Sequence, residues 1–141
     1  MKKIFTLLSI VAIGVSANAQ TEVVNETFSY TGALKDNGWV THSGTAGQLE
    51  ADGSVAKIVA GSSEDVNKAF STSYTIEANK YNKIEYSLTL NVPSQTGLAG
   101  STAAGEYFLM LSNQSGTTVS NFYGRLFIRK SSGTGYVLGI S

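Results

Sequence analysis

The chain has 141 residues, 42% hydrophobic, 10% aromatic and 14% charged, with ten basic and ten acidic side chains and no formal net charge. That length suits one domain, able to bury about two thirds of the surface its unfolded chain exposes. The lack of cysteine excludes disulfides, thiolate nucleophiles and cysteine-bound zinc, the balanced charge offers no basic excess to nucleic acid, and the apolar content is too high for a disordered chain.

Residues 1–19 read as an export address. Lys2 and Lys3 precede a twelve-residue apolar run, Ile4 to Val15, and Ala17-Asn18-Ala19 fits the small-x-small cleavage pattern. The run is too short to cross a hydrocarbon core, which takes about 20 residues. Cleavage after Ala19 exposes Gln20, not the cysteine of a lipoprotein anchor. The remainder, residues 20–141, carries eight basic and ten acidic residues, a mild net charge of −2. No later run could span a bilayer as a helix, so no membrane insertion is expected after cleavage.

The exported part is rich in Ser, Thr and Gly, and no stretch of eleven or more residues holds a helical apolar period. Glu26 to Thr31 alternates with Phe28 and Tyr30 inward. Asp36-Asn37-Gly38 is a turn leading into Trp39-Val40. Gln48 to Glu50, Asp52-Gly53 and Ser54 to Val59 form a hairpin pattern. Lys68 to Ser71 and Tyr74 to Glu77 are short strand candidates. The strongest alternation is Tyr81 to Val92, with Ile84, Tyr86, Leu88, Leu90 and Val92 on one parity and Pro93 ending it. Burying those five side chains would be worth about 8–15 kcal/mol gross. Ser94 to Gly105 is a long small-residue loop. Glu106 to Leu111 is apolar on both parities from Tyr107 on, as in a central strand. Residues 122–141 read as a hairpin, with Leu126 and Ile128 on one face of its first strand and Tyr136, Leu138 and Ile140 alternating in its second. Short strands at such spacing imply an all-β fold, an antiparallel β-sandwich over residues 20–141, with a barrel as the alternative. The apolar final strand lacks edge protection, which points to a sandwich incomplete at its C-terminus, a fragment of something longer.

Candidate chemistry is sparse. His42 is the only histidine, and Ser43 beside it cannot easily face it, so no catalytic triad is expected. Glu50 and Asp52 have the one-residue separation of a glycosidase pair, but Asp52-Gly53 is better explained as a turn. No catalytic residue is assigned. No cofactor is required, although calcium is possible at the oxygen-rich clusters Asp36-Asn37 and Glu64-Asp65-Asn67, giving Asp36, Glu64, Asp65 and Asn67 as candidate ligands. Trp39, Tyr30, Tyr74, Tyr81, Tyr123 and Tyr136 could stack on sugar rings; Trp39, Asn37 and Tyr30 form the candidate ligand-binding set. Phe28, Phe70, Phe108 and Phe127 are core candidates.

The order of short motifs carries a resemblance. Ala17-Asn18-Ala19-Gln20 is followed by Glu26-Thr27-Phe28-Ser29-Tyr30, Gly32-Ala33-Leu34, Asp36-Asn37-Gly38-Trp39, His42 to Gly47, Glu64 to Asn67 and Gly124 to Arg129. Together they resemble the N-terminal domain of large secreted Bacteroidetes-type surface proteins, many of them concanavalin-like or laminin-G-like jelly rolls that end in a sorting domain for type IX secretion. The resemblance implies a jelly-roll fold and an extracellular or cell-surface location. The family domain continues with further strands and the sorting domain, which are not present in this sequence. Three functions stay open: a non-catalytic binding or adhesion module for a glycan or surface polymer, the N-terminal non-catalytic part of a larger secreted enzyme, and a structural spacer without a ligand.

Overall fold

The computed structural model describes residues 21–59, 61–75, 77 and 83–141. Residues 1–19, read above as an export address, and Tyr81 lie outside them. The described residues form eight strands, one 3-10 turn and no α-helix. The strands are β1 (Thr31–Ala33), β2 (Val40–Ser43), β3 (Glu50–Asp52), β4 (Ala56–Lys57), β5 (Asp65–Asn67), β6 (Glu106–Ser112), β7 (Phe122–Lys130) and β8 (Tyr136–Ile140). Every pairing is antiparallel, in three sheets ordered β1-β3-β4, β2-β5 and β6-β7-β8. No helix among the described residues is long and apolar enough to cross a membrane.

Local chemistry explains the first sheet. Leu34–Asp36 makes the 3-10 turn after β1, and the Asn37 side-chain amide donates back to the Ala33 carbonyl at 2.9 Å. The expected hairpin forms as β3 and β4, with Glu50 opposite Lys57 and Ala51 opposite Ala56. Its turn is held by Asp52, whose Oδ1 accepts from the Ser54 and Val55 amides and the Ser54 hydroxyl. Gly53 supplies the positive φ (+100°) the turn demands. Leu34, Leu49 and Ala51 are buried there, with Phe28, Tyr30, Trp39, Ala56 and Val66 packed around them.

Sheet β2-β5 joins segments more than twenty residues apart, with Val40 opposite Asn67 and Ser43 opposite Asp65. Its β5 strand runs through residues that the sequence pattern marks only as an oxygen-rich cluster. Just beyond β2, Gly44 has φ +74°, and a Cβ there would sit 1.7 Å from the Ser63 carbonyl oxygen. Only glycine lets these two chain segments approach so closely.

The hairpin expected over residues 122–141 is β7 and β8, from Leu126 opposite Ile140 to Lys130 opposite Tyr136. The strand expected at Glu106 to Leu111 is β6, which pairs with β7 through two register irregularities. Ile128 is the buried hydrophobic of this sheet.

Three expectations are corrected. The described part of Tyr81 to Val92, residues 83–92, is not in a strand. Ile84, Leu90 and Val92 are half-buried, but Tyr86 and Leu88 are exposed, so the five-residue buried face does not form. Alternation selects which side chains could turn inward; a strand also needs a neighbouring backbone, and among the described residues none pairs with this one. The segment instead contacts the third sheet through the Tyr86 hydroxyl, which donates to the Gly124 carbonyl at 3.1 Å. Second, Glu26 to Thr31 is not a strand up to Tyr30, because Phe28 takes φ +50°, a left-handed conformation that interrupts extension. Phe28 and Tyr30 still pack on the core as expected. Third, the described residues of Lys68 to Ser71 and Tyr74 to Glu77 are not in strands; the strand lies earlier, at β5.

Candidate functional site

Trp39 and Tyr30 come together, but as packing. The Trp39 ring stacks on Phe28 with centroids 6.1 Å apart and planes 16° apart, and Lys68 Nζ lies 5.7 Å from its centroid. Its indole N–H is shared between Glu26 Oε2 (3.2 Å) and the Tyr30 hydroxyl oxygen (3.0 Å). Glu26 also pairs with Lys68 and accepts the Phe28 amide. Burial pushes the Glu26 carboxyl up, but the Lys68 bond and charge and the Phe28 and Trp39 donors outweigh it and hold it below its ordinary value. Asn37 stands apart from this cluster, bonded to its own turn. The three candidate ligand-binding residues therefore present no common open platform.

The four candidate cation ligands do not share one cage. Asp36 pairs with its neighbour Lys35. Glu64 is buried, and its carboxylate accepts four hydrogen bonds: from the Thr41 hydroxyl (2.6 Å) and Gly47 amide (2.9 Å) on Oε1, and from the Gln48 and Leu49 amides (both 2.7 Å) on Oε2. Three consecutive amides thus converge on one anion, pinning the β2–β3 loop to β5. Burial pushes the Glu64 carboxyl up, and the four donors more than reverse it, so it titrates below its ordinary value. Asp65 Oδ2 accepts from the Ser43 hydroxyl (2.6 Å) and the Tyr107 hydroxyl (3.2 Å). The Asn67 side chain clamps Gly116, accepting its amide (2.9 Å) and donating to its carbonyl (2.8 Å). Among the described residues no three His, Asp or Glu side chains gather where they could hold a metal ion. Ser43 faces Asp65, whereas His42 lies against Phe122 and Asn67, so the two are not arranged as nucleophile and base.

A partly exposed aromatic arrangement occurs instead on one face of the third sheet, with Phe127 half-buried. Residues 125, 127 and 129 of β7 share a parity, and they lie opposite Ser141, just past β8, and Gly139 and Val137 of β8. Phe127 meets Tyr107 of β6 edge to face, with centroids 6.4 Å apart, and the Arg125 guanidinium carbon lies 5.4 Å from the Phe127 centroid. On the β8 side Gly139 contributes no side chain beside Phe127. Tyr107 is 42% exposed and Tyr123, at the start of β7, is 55% exposed. Burial and the neighbouring Asp65 push the Tyr107 hydroxyl up. Of the tyrosines singled out in the sequence, Tyr74, Tyr123 and Tyr136 are exposed and Tyr30 is not. Tyr107 and the role of Phe127 escape sequence reading, because their pairing depends on the β6–β7 register.

Compared with family models, with curated proteins and with solved structures, the chain matches none.

Proposed function

We propose that this chain is an exported, non-catalytic binding or adhesion module that takes a glycan or surface polymer on the face of β6, β7 and β8. The observation that carries the reading is the patch of Tyr107, Phe127 and Arg125 beside the side-chain-free Gly139: aromatic surface for the apolar face of a sugar ring, with hydrogen-bond donors at its margin. The export address at residues 1–19 supports an extracellular or cell-surface location. In this reading the sheets belong to an antiparallel β-sandwich of the concanavalin or laminin-G jelly-roll kind, delivered by type IX secretion as part of a longer surface protein.

The test is affinity electrophoresis of the exported chain through gels containing a panel of polysaccharides, against an inert β-sandwich of similar size. Retardation by at least one polymer, reduced in Phe127→Ala, is the expected result. Mobility equal to the inert protein in every gel would sink the reading.

The edge of the third sheet favours a second reading, a self-associating structural spacer. Arg125 and Ser141 exchange both main-chain hydrogen bonds, so by antiparallel alternation Val137 and Gly139 bond towards β7. The amides and carbonyls of Tyr136, Leu138 and Ile140 then point outward, and among the described residues no strand lies against them.

A further inference from the structure

The sheet face proposed above also carries an uncompensated charge pattern. Among the described residues, Lys35, Lys57, Lys68 and Lys83 each sit in an ion pair, with Asp36, Asp52, Glu26 and Glu85. The remaining described Lys and Arg side chains, Arg125, Arg129 and Lys130, are in none of the ion pairs among the described residues, and all three lie on β7. Arg125 and Arg129 share the face of Phe127, two residues before it and two after. They are four positions apart, about 13 Å along the strand. Asp65, which reaches this face through Tyr107, already accepts from Ser43 and Tyr107 on one oxygen. Outside the export address the chain carries a net charge of −2, so this positive strip stands against an otherwise acidic molecule.

Building on the glycan reading, we infer that the ligand is an acidic polysaccharide, bearing carboxylate or sulfate groups at intervals along its chain. Two arginines flanking an aromatic residue along one strand face suit repeated anions on a polymer. A single small anion would be served by one cluster, and a neutral glycan would leave both guanidinium groups without a counter-charge. Arginine is the side chain best suited to planar, bidentate recognition of such groups.

The test uses the exported chain in gels of polygalacturonate, dextran sulfate and neutral dextran, at low and at high salt. The variants are Arg125→Gln with Arg129→Gln, and a control removing equal charge elsewhere, Lys35→Gln with Lys57→Gln; circular dichroism checks that each keeps its strands. The expected result is retardation by an acidic polymer, weakened by salt, and about tenfold weaker in the arginine pair than in the control, as the loss of one good charge-assisted contact would give. Equal retention by neutral dextran, unmoved by the arginine changes, would overturn acid selectivity while leaving the glycan reading intact. Equal loss in the control pair would reduce the effect to net charge and overturn the site. No retention in any gel would overturn this inference and the glycan reading together.

Discussion

Glu64 shows how one side chain can organise a loop. It is 4% exposed, and each carboxylate oxygen takes two donors. Glu64→Gln keeps the shape but turns one acceptor into a donor facing main-chain N–H groups. It should destabilise the protein by about 1–3 kcal/mol, the cost of leaving buried polar groups unpaired, as measured by urea unfolding at neutral pH. The pH dependence follows from the lowered value in the fold. The unfolded carboxyl titrates near 4.5, so the stabilisation is fully present above that pH and is lost as pH falls through the lower folded value. Stability measured between pH 7 and 3 should therefore fall on the acid side, and less steeply in Glu64→Gln. Parallel curves would show that Glu64 does not drive the acid limb; Glu26, also lowered, would be the next carboxylate to substitute. Glu64 was legible as an oxygen-rich residue, but not as an anion in a backbone nest, because its donors lie 15 to 23 residues away.

The elements divide according to whether their partners are local. β3–β4 and β7–β8 could be read from the sequence because a short turn joins each pair and fixes its register. β1–β3 and β2–β5 could not, since each pairs residues across intervening elements. Segment 83–92 is the instructive failure: it has the best alternation in the chain and no strand neighbour among the described residues. Native-state hydrogen exchange should separate it from β7, which is flanked on both sides by β6 and β8. Amides in the middle of β7 should exchange slowest and those of residues 83–92 among the fastest. Comparable protection in the two segments would show that residues 83–92 find a backbone partner in solution.

Across the molecule, the edge at β8, against which no strand lies among the described residues, is the feature with the widest consequence. Leu138 is 52% and Ile140 72% exposed, and Tyr136 to Ser141 contains no charge. Edges of this kind pair with other chains unless a charge, proline or bulge blunts them. Residues 20–141 should gain mass with concentration in sedimentation or light scattering, and Leu138→Lys should return them to monomer. The substituted side chain is already exposed, so the fold should melt within about 0.5 kcal/mol of the parent. A parent that stays monomeric at high concentration would remove the spacer reading.

Period-two patterning and turn chemistry, both local, determined the all-β character, the two hairpins and the inward set of Phe28 and Tyr30. Composition excluded disulfides and cysteine-bound metal outright. Only the tertiary structure decided that Trp39 is packed between Phe28 and Lys68, that the Glu64 carboxylate is consumed by three main-chain amides and the Thr41 hydroxyl, and that Tyr107, Arg125 and Phe127 share one partly exposed face. Those outcomes depend on contacts between residues far apart in the chain. Such contacts are set by strand register and by competition for buried space, and no local pattern encodes them.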